Sequence, residues 1–224
     1  MKPGVLSDIT VIDMTEGVAG PYATTLLGDM GANVIKVERR EGDWQRSAGK
    51  GGLSPVGGAQ FIALNRNKQG IVVDLAKPEG ADLARKLAAQ SDIVMENFRP
   101  DVMPRLGLGF DDLKKLRRGL IYCSISGYGQ HGDAARRRAY APIIHAEMGL
   151  LDLGGEPRGL EPQPEPVSHA DFAVGSPEPP AEPTPTPSWV RSVGQLPVFE
   201  YHSATLALTS PESVRPSVTC ERMV

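Results

Sequence analysis

Two cysteines, Cys123 and Cys220, are all that the 224 residues contain. Sparse and far apart, with Cys123 on a predicted buried strand, they read as free thiols rather than a disulfide framework. No cysteine–histidine cluster has metal-ligand spacing, which argues against a structural zinc site. No apolar run reaches the roughly 18–20 residues needed to span a bilayer. The opening MKPGVLSDITVIDMTEG mixes acids into its apolar stretch and lacks the uniform core of a secretion signal. Positive charge is not in excess: 24 Lys and Arg stand against 27 Asp and Glu, a formal net charge of -3, so nothing points to nucleic acid as a partner. The expectation from these absences is a cytoplasmic protein with no membrane partner.

What is present is enough apolar material, 40% of residues, for a sizeable core. Ile9–Met14 (ITVIDM) reads as a buried strand. Ala19–Met30 carries Leu26, Leu27 and Met30 at helical spacing, with Pro21 near its first turn and Gly31 at the C-cap. Asn33–Val37 is a second strand, followed by a polar, glycine-rich loop from Glu38 to Gly58. Gly70–Leu75 is a third strand and Pro78–Gln90 an amphipathic helix presenting Leu83, Leu87 and Ala88 on one face. Asp92–Met95 and Leu120–Ser124 supply two more strands. This alternation predicts an α/β fold: a Rossmann-like open, mainly parallel sheet with helices on both faces.

The character changes near residue 176, since 12 of the 20 prolines follow Leu160. SPEPPAEPTPTPS cannot be helical, because proline lacks the N–H and clashes with the preceding turn. The expected organisation is an α/β unit over 1–175, a proline-rich linker over 176–188 and an irregular tail over 189–224.

Three segments can carry chemistry. In Glu16-Gly17-Val18-Ala19-Gly20-Pro21, small residues at a strand-to-helix turn let backbone N–H groups approach an anion; such a turn also needs glycine for its own geometry. Lys36-Val37-Glu38-Arg39-Arg40 ends a strand, where ligands of open sheets sit, and Arg suits phosphate; the alternative is a solvated charge run. Glu96-Asn97-Phe98-Arg99-Pro100 can offer an amide and an aromatic face to a purine, or a helix cap and a core phenylalanine.

In order along the chain, VIDMTEGVAGPYATTLLGDMGANVIKVERREGD, LNRNKQGIVVDLAKPEG, SDIVMENFRPDVMPRLGL and LIYCSISGYGQHG resemble the class III CoA-transferases, the family with carnitine CoA-transferase and α-methylacyl-CoA racemase branches. The resemblance runs from Gly4 to about Gly175, the N-terminal half of such enzymes, and ends where the proline-rich run begins; a frameshift or a mispredicted gene end is the expectation there. It implies CoA and acyl-CoA as substrates, no permanently bound cofactor, a carboxylic acid as acceptor and an interlocked homodimer.

By the same resemblance Val18 and Ala19 give backbone contacts to CoA. Arg39 falls near the adenosine phosphate. Val73, Asn97 and Phe98 surround adenine and pantetheine, and Arg105 is a further phosphate contact. Arg138 stands where formyl-CoA transferase has a lysine, keeping the charge with different geometry. Ala76 replaces another lysine, with Lys77 beside it. Tyr140 matches an active-site tyrosine. In Val167-Ser168-His169-Ala170-Asp171-Phe172-Ala173-Val174-Gly175, an aspartate precedes a glycine by four residues at a helix start, as around the family's nucleophile. Asp171 would attack the thioester and pass through an aspartyl–acyl anhydride; taken alone it reads as an N-cap. His169 does not match the family's chemistry, and His131 and His145 have no implied role. Two other readings stay open: an inactive fragment that at most binds CoA, and an acyl-CoA racemase-like enzyme. Tyr140 occupying the racemase histidine position argues against the latter.

Overall fold

The computed structural model describes residues 4–48, 56–155, 159–164, 167–176 and 217–222. Its strands are β1 (Thr10–Met14), β2 (Asn33–Glu38), β3 (Lys68–Val72), β4 (Ile93–Glu96), β5 (Ile121–Ser126) and β6 (Ser217–Arg222). The helices are α1 (Ala19–Asp29), α2 (Ala59–Leu64), α3 (Pro78–Ala88), α4 (Val102–Arg105), α5 (Phe110–Leu113), α6 (Ala141–Glu147), α7 (Leu150–Gly155) and α8 (His169–Gly175). The sheet order is β3-β2-β1-β4-β5-β6. The first five strands are parallel, and β6 joins the edge antiparallel. Because the winding reverses between β1 and β4, a crevice opens at the carboxyl ends of these two strands.

Alternation along the strands sorts the core into two layers. Ile12, Met14, Val37, Val94 and Tyr122 face Ala84 and Ala88 of α3, Met103 of α4 and Leu113 of α5. Val11, Val34, Met95 and Ile125 face Ala19 and Leu27 of α1 and Val174 of α8. Helices therefore cover both faces, as the strand–helix alternation predicts. Pro78 begins α3, where its missing N–H costs no intrahelical bond.

Three differences from the sequence reading have physical causes. β3 starts two residues before Gly70, because Lys68 has a buried partner under the sheet rather than solvent around it. Cys123, expected as a free thiol, is disulfide-bonded, and the antiparallel β5–β6 register sets it opposite Cys220, so separation in sequence was no guide to proximity. β6 itself lies in the stretch read as irregular. The proline-rich run after Ser176 and most of the tail fall outside the described residues, as do positions 49–55 of the glycine-rich loop. Among the described residues no helix is long and apolar enough to cross a membrane, and no group of His, Cys, Asp and Glu could hold a metal ion.

Candidate functional site

The turn between β1 and α1 is built on buried charge. Asp13, at the end of β1, is fully buried and accepts from the Thr15 N–H at 2.9 Å and the Thr24 hydroxyl at 2.7 Å, with Lys68 Nζ at 3.0 Å. Burial alone would raise its carboxyl, but Lys68, Lys36 and the two threonine hydroxyls more than offset this and hold it at about 2. Burial in turn pushes the Lys68 ammonium down to about 8, against the pull of Asp13. Lys36 donates to the Thr15 carbonyl at 2.8 Å and pairs with Asp43 at 3.2 Å.

Asp43, capping a short 3-10 turn over Trp44–Arg46, accepts the Gly17 N–H at 3.2 Å. Gly17 has φ +82°, and a β-carbon there would lie 2.9 Å from the Trp44 ring, so both backbone and space require glycine. From the other side Asn97 clamps the turn: its Oδ1 accepts the Glu16 N–H at 2.8 Å and its Nδ2 donates to the Glu16 carbonyl at 2.7 Å. The Asn97 amide, read as free for a purine or as a helix cap, is thus engaged in tying β4 to the turn. Nor is the Lys36–Arg40 run a solvated face as a whole, since Lys36 and Glu38 are buried and paired.

Beside this turn, at the carboxyl ends of β4 and β5, lies a cavity of about 250 Å³. Ala19, Asn97, Phe98, Arg138, Tyr140 and Asp171 all line it, together with Arg99, Ser126, Gly127 and Ile144. Residues from the first helix to the last one before the proline-rich run thereby line a single cavity. Tyr140 precedes α6 and is 64% exposed at the rim. Among the described residues neither Arg99 nor Arg138 has an ion-pair partner. Arg137 is engaged instead by Glu147, which also accepts from the Tyr128 hydroxyl at 3.0 Å.

Asp171 sits in the first turn of α8, half-buried, and its Oδ2 accepts the Ser168 hydroxyl at 2.7 Å. Burial raises its carboxyl above the ordinary value, and the Ser168 hydrogen bond works the other way. α8 is pressed onto α1. The Phe172 and Tyr22 rings meet edge-on at 5.0 Å, and a β-carbon on Gly175 would lie 2.7 Å from the Ala19 carbonyl oxygen. The glycine four residues after Asp171 is therefore a condition for placing the carboxylate beside Ala19 at the cavity wall.

The remaining candidates lie elsewhere. Val18 is buried just before α1, one residue short of the cavity lining. Val73 belongs to the core, its N–H donating to the Glu38 carbonyl at 2.8 Å. Arg105 is exposed on α4 and paired with Asp101 at 3.3 Å. Arg39 lines a separate, open depression with Trp44, Arg46 and Ser47, and contacts Glu16 at 3.4 Å. Lys77, beside Ala76, precedes α3 and lies 3.9 Å from Asp74.

Sequence reasoning quoted Glu96, Ser168 and Lys36 within larger segments without giving any of them a role, and it missed the pairing of Asp13 with Lys68 and of Lys36 with Asp43. Glu96 is buried at the end of β4 and accepts the Phe98 N–H at 2.9 Å, and burial pushes its carboxyl up to about 7. Its one signal was an acid closing an otherwise apolar parallel strand.

Residues 6–176 match the model of CoA-transferase family III. Mouse succinyl-CoA:glutarate CoA-transferase is 40% identical over 176 residues, covering 78% of this chain and 39% of that one. The succinate–glutarate CoA-transferase of Agrobacterium fabrum is 42% identical over 176 residues, covering 76% and 44%. The crystal structure of a CAIB/BAIF family protein from Brucella suis superposes with a TM-score of 0.71 at 37% identity, over 77% of this chain and 48% of that one. The chain thus spans less than half the length of these relatives. With the family model covering three quarters of the sequence, the chain belongs to CoA-transferase family III.

Proposed function

We propose that the chain carries the CoA-binding, nucleophile-bearing part of an enzyme that moves CoA from an acyl-CoA donor to a carboxylic acid, with Asp171 as nucleophile. The observation that supports this is the single cavity that Asp171 lines together with Ala19, Asn97, Phe98, Arg138 and Tyr140. The mouse and Agrobacterium fabrum relatives are named for succinyl-CoA or succinate and for glutarate, and two guanidinium groups without an ion-pair partner among the described residues, Arg99 and Arg138, line the same space. Succinyl-CoA is therefore the donor to test first and a dicarboxylate the acceptor.

In the proposed sequence an Asp171 oxygen attacks the thioester carbonyl carbon. The C–S bond breaks, CoA leaves as thiolate and an aspartyl–acyl anhydride forms. The thiolate then attacks the aspartyl carbonyl carbon, expels the donor carboxylate and leaves an aspartyl-CoA thioester. The acceptor carboxylate attacks that thioester, again releasing thiolate, which closes on the acceptor's acyl carbon and restores Asp171. Each step exchanges one acyl bond for another, with no net electron or proton change, so the sequence calls for no redox or metal cofactor. Partial burial suits the nucleophile, because a less hydrated carboxylate attacks more readily and water is kept from the anhydride. The reading includes a homodimer in the cytoplasm; light scattering behind size exclusion tests the dimer.

Incubation with succinyl-CoA followed by hydroxylamine tests the mechanism. Conversion of Asp171 to its hydroxamate, absent in Asp171→Asn, is the expected result. An unmodified Asp171 in a protein that transfers CoA would sink the nucleophile assignment. A protein that binds CoA and neither transfers it nor becomes modified would point to the binding-only reading.

A further inference from the structure

The first turn of α8 departs from the usual way of starting a helix. The initial N–H groups of a helix have no intrahelical acceptor, and a serine at the N-cap ordinarily supplies one through its side chain. Ser168 occupies that position, yet its side chain makes no cap hydrogen bond. Its hydroxyl donates to Asp171 Oδ2 at 2.7 Å instead. The acceptor comes from another element. His145 of α6, 2% exposed, places Nε2 3.2 Å from the Ala170 backbone nitrogen and accepts its N–H.

We propose that His145 is a positioning residue for Asp171: it caps α8 in place of Ser168 and leaves the Ser168 hydroxyl to orient the Asp171 carboxylate toward the cavity. The inference rests on the reading of Asp171 as the nucleophile. To accept from an N–H, Nε2 must lack a proton, which puts the ring proton on Nδ1. His145 is also well placed to couple the two sides of the site. It lies one residue after Ile144 and five after Tyr140, both of which line the cavity, while its bond ends one residue before Asp171. α6 and α8 thus close on the cavity as one unit, with an imidazole as the joint. The His169 ring, with its centroid 6.1 Å from that of His145, is not the acceptor.

The contact needs an acceptor, not a base, and this separates His145→Gln from His145→Leu. Glutamine keeps a carbonyl oxygen that can take the Ala170 N–H, whereas leucine fills the space and offers none. In His145→Leu, hydrogen exchange at the Ala170 amide should accelerate about tenfold and the Asp171 carboxyl carbon-13 resonance should move. Hydroxylamine-trapped acylation of Asp171 by succinyl-CoA should fall about tenfold while the Kd for CoA changes less than about threefold. His145→Gln should stay within about threefold of the parent in every readout. The proposal is overturned if His145→Gln is as impaired as His145→Leu, or if His145→Leu leaves both exchange and the Asp171 resonance unchanged. Should the parent protein fail to acylate Asp171, the nucleophile reading fails by itself, and the Ala170 exchange and Asp171 resonance still decide whether His145 holds this turn.

Discussion

Lys68 Nζ lies 3.0 Å from Asp13 Oδ2 with both side chains almost wholly out of solvent, joining the edge strand β3 to the end of the central strand β1. The same ammonium donates to the Pro21 carbonyl and to Asn65 Oδ1, each at 2.9 Å, so none of its protons faces an apolar wall. A buried pair is costly to create but costlier to halve, because the surviving charge has neither water nor a counter-ion. Lys68→Met should therefore lower unfolding free energy by about 3–5 kcal/mol in urea titrations. The double variant Asp13→Leu/Lys68→Met should recover a good part of that loss. Equal destabilisation by the single and double variants would show that the pair is not the unit that matters.

Glu96 gives a pH-dependent stability of opposite sign to the usual carboxylate. Its carboxyl is raised by burial to about 7 from an ordinary 4.5, so the folded chain binds a proton that the unfolded chain has already released between those values. Stability from this group is complete below pH 4.5, falls as pH rises toward 7 and is gone above it, a difference of about 3 kcal/mol. Glu96→Gln keeps an acceptor for the Phe98 N–H and removes the titration. It should match the parent near pH 4.5 and exceed its Tm above pH 7. A gap between the two proteins that does not vary with pH would refute the shifted carboxyl.

Much of the fold was legible because parallel strands buried on both faces leave short β-branched runs, and ITVIDM, NVIKV and LIYCS each mark one. The edge strand β3 was misplaced because three of its five residues face solvent and Lys68 reaches Asp13, a contact 55 positions away. The site was legible only in pieces. Asp171 and Arg138 came forward through resemblance, and Asn97 already through its place at the end of a predicted strand. That Asn97 spends its amide on Glu16, or that an unassigned histidine caps α8, follows from three-dimensional proximity that no local spacing encodes.

Arg99 and Arg138, neither with an ion-pair partner among the described residues, put two positive charges on the cavity lining. CoA carries phosphates and the expected acceptor carries carboxylates, both of which guanidinium groups bind as paired forks. Arg138→Ala should weaken CoA binding by about tenfold in low salt, with the difference shrinking as ionic strength rises. Arg99→Ala should affect acceptor KM more than CoA binding, measured by titration calorimetry and initial rates. Identical effects of the two variants on CoA and acceptor would mean the charges act as one diffuse field rather than as two subsites.

Gly175 links the placement of Asp171, the proposed nucleophile, to packing. A β-carbon there would meet the Ala19 carbonyl oxygen at 2.7 Å and the Tyr22 ring at 2.9 Å. The ring can turn, but the carbonyl belongs to the first turn of α1 and cannot retreat without moving the β1–α1 turn that Asp43 and Asn97 hold. Gly175→Ala should therefore push α8 outward rather than deform α1. The expected cost is about 1–3 kcal/mol in urea titrations, the range for forcing an extra methyl into a packed contact. Asp171 acylation should fall more steeply than stability, because its carboxylate travels with the helix while Ala19 stays. A Gly175→Ala protein that loses stability and keeps its rate of Asp171 modification would show that the carboxylate is placed by Ser168 and His145 alone, with the α1–α8 contact serving only the fold.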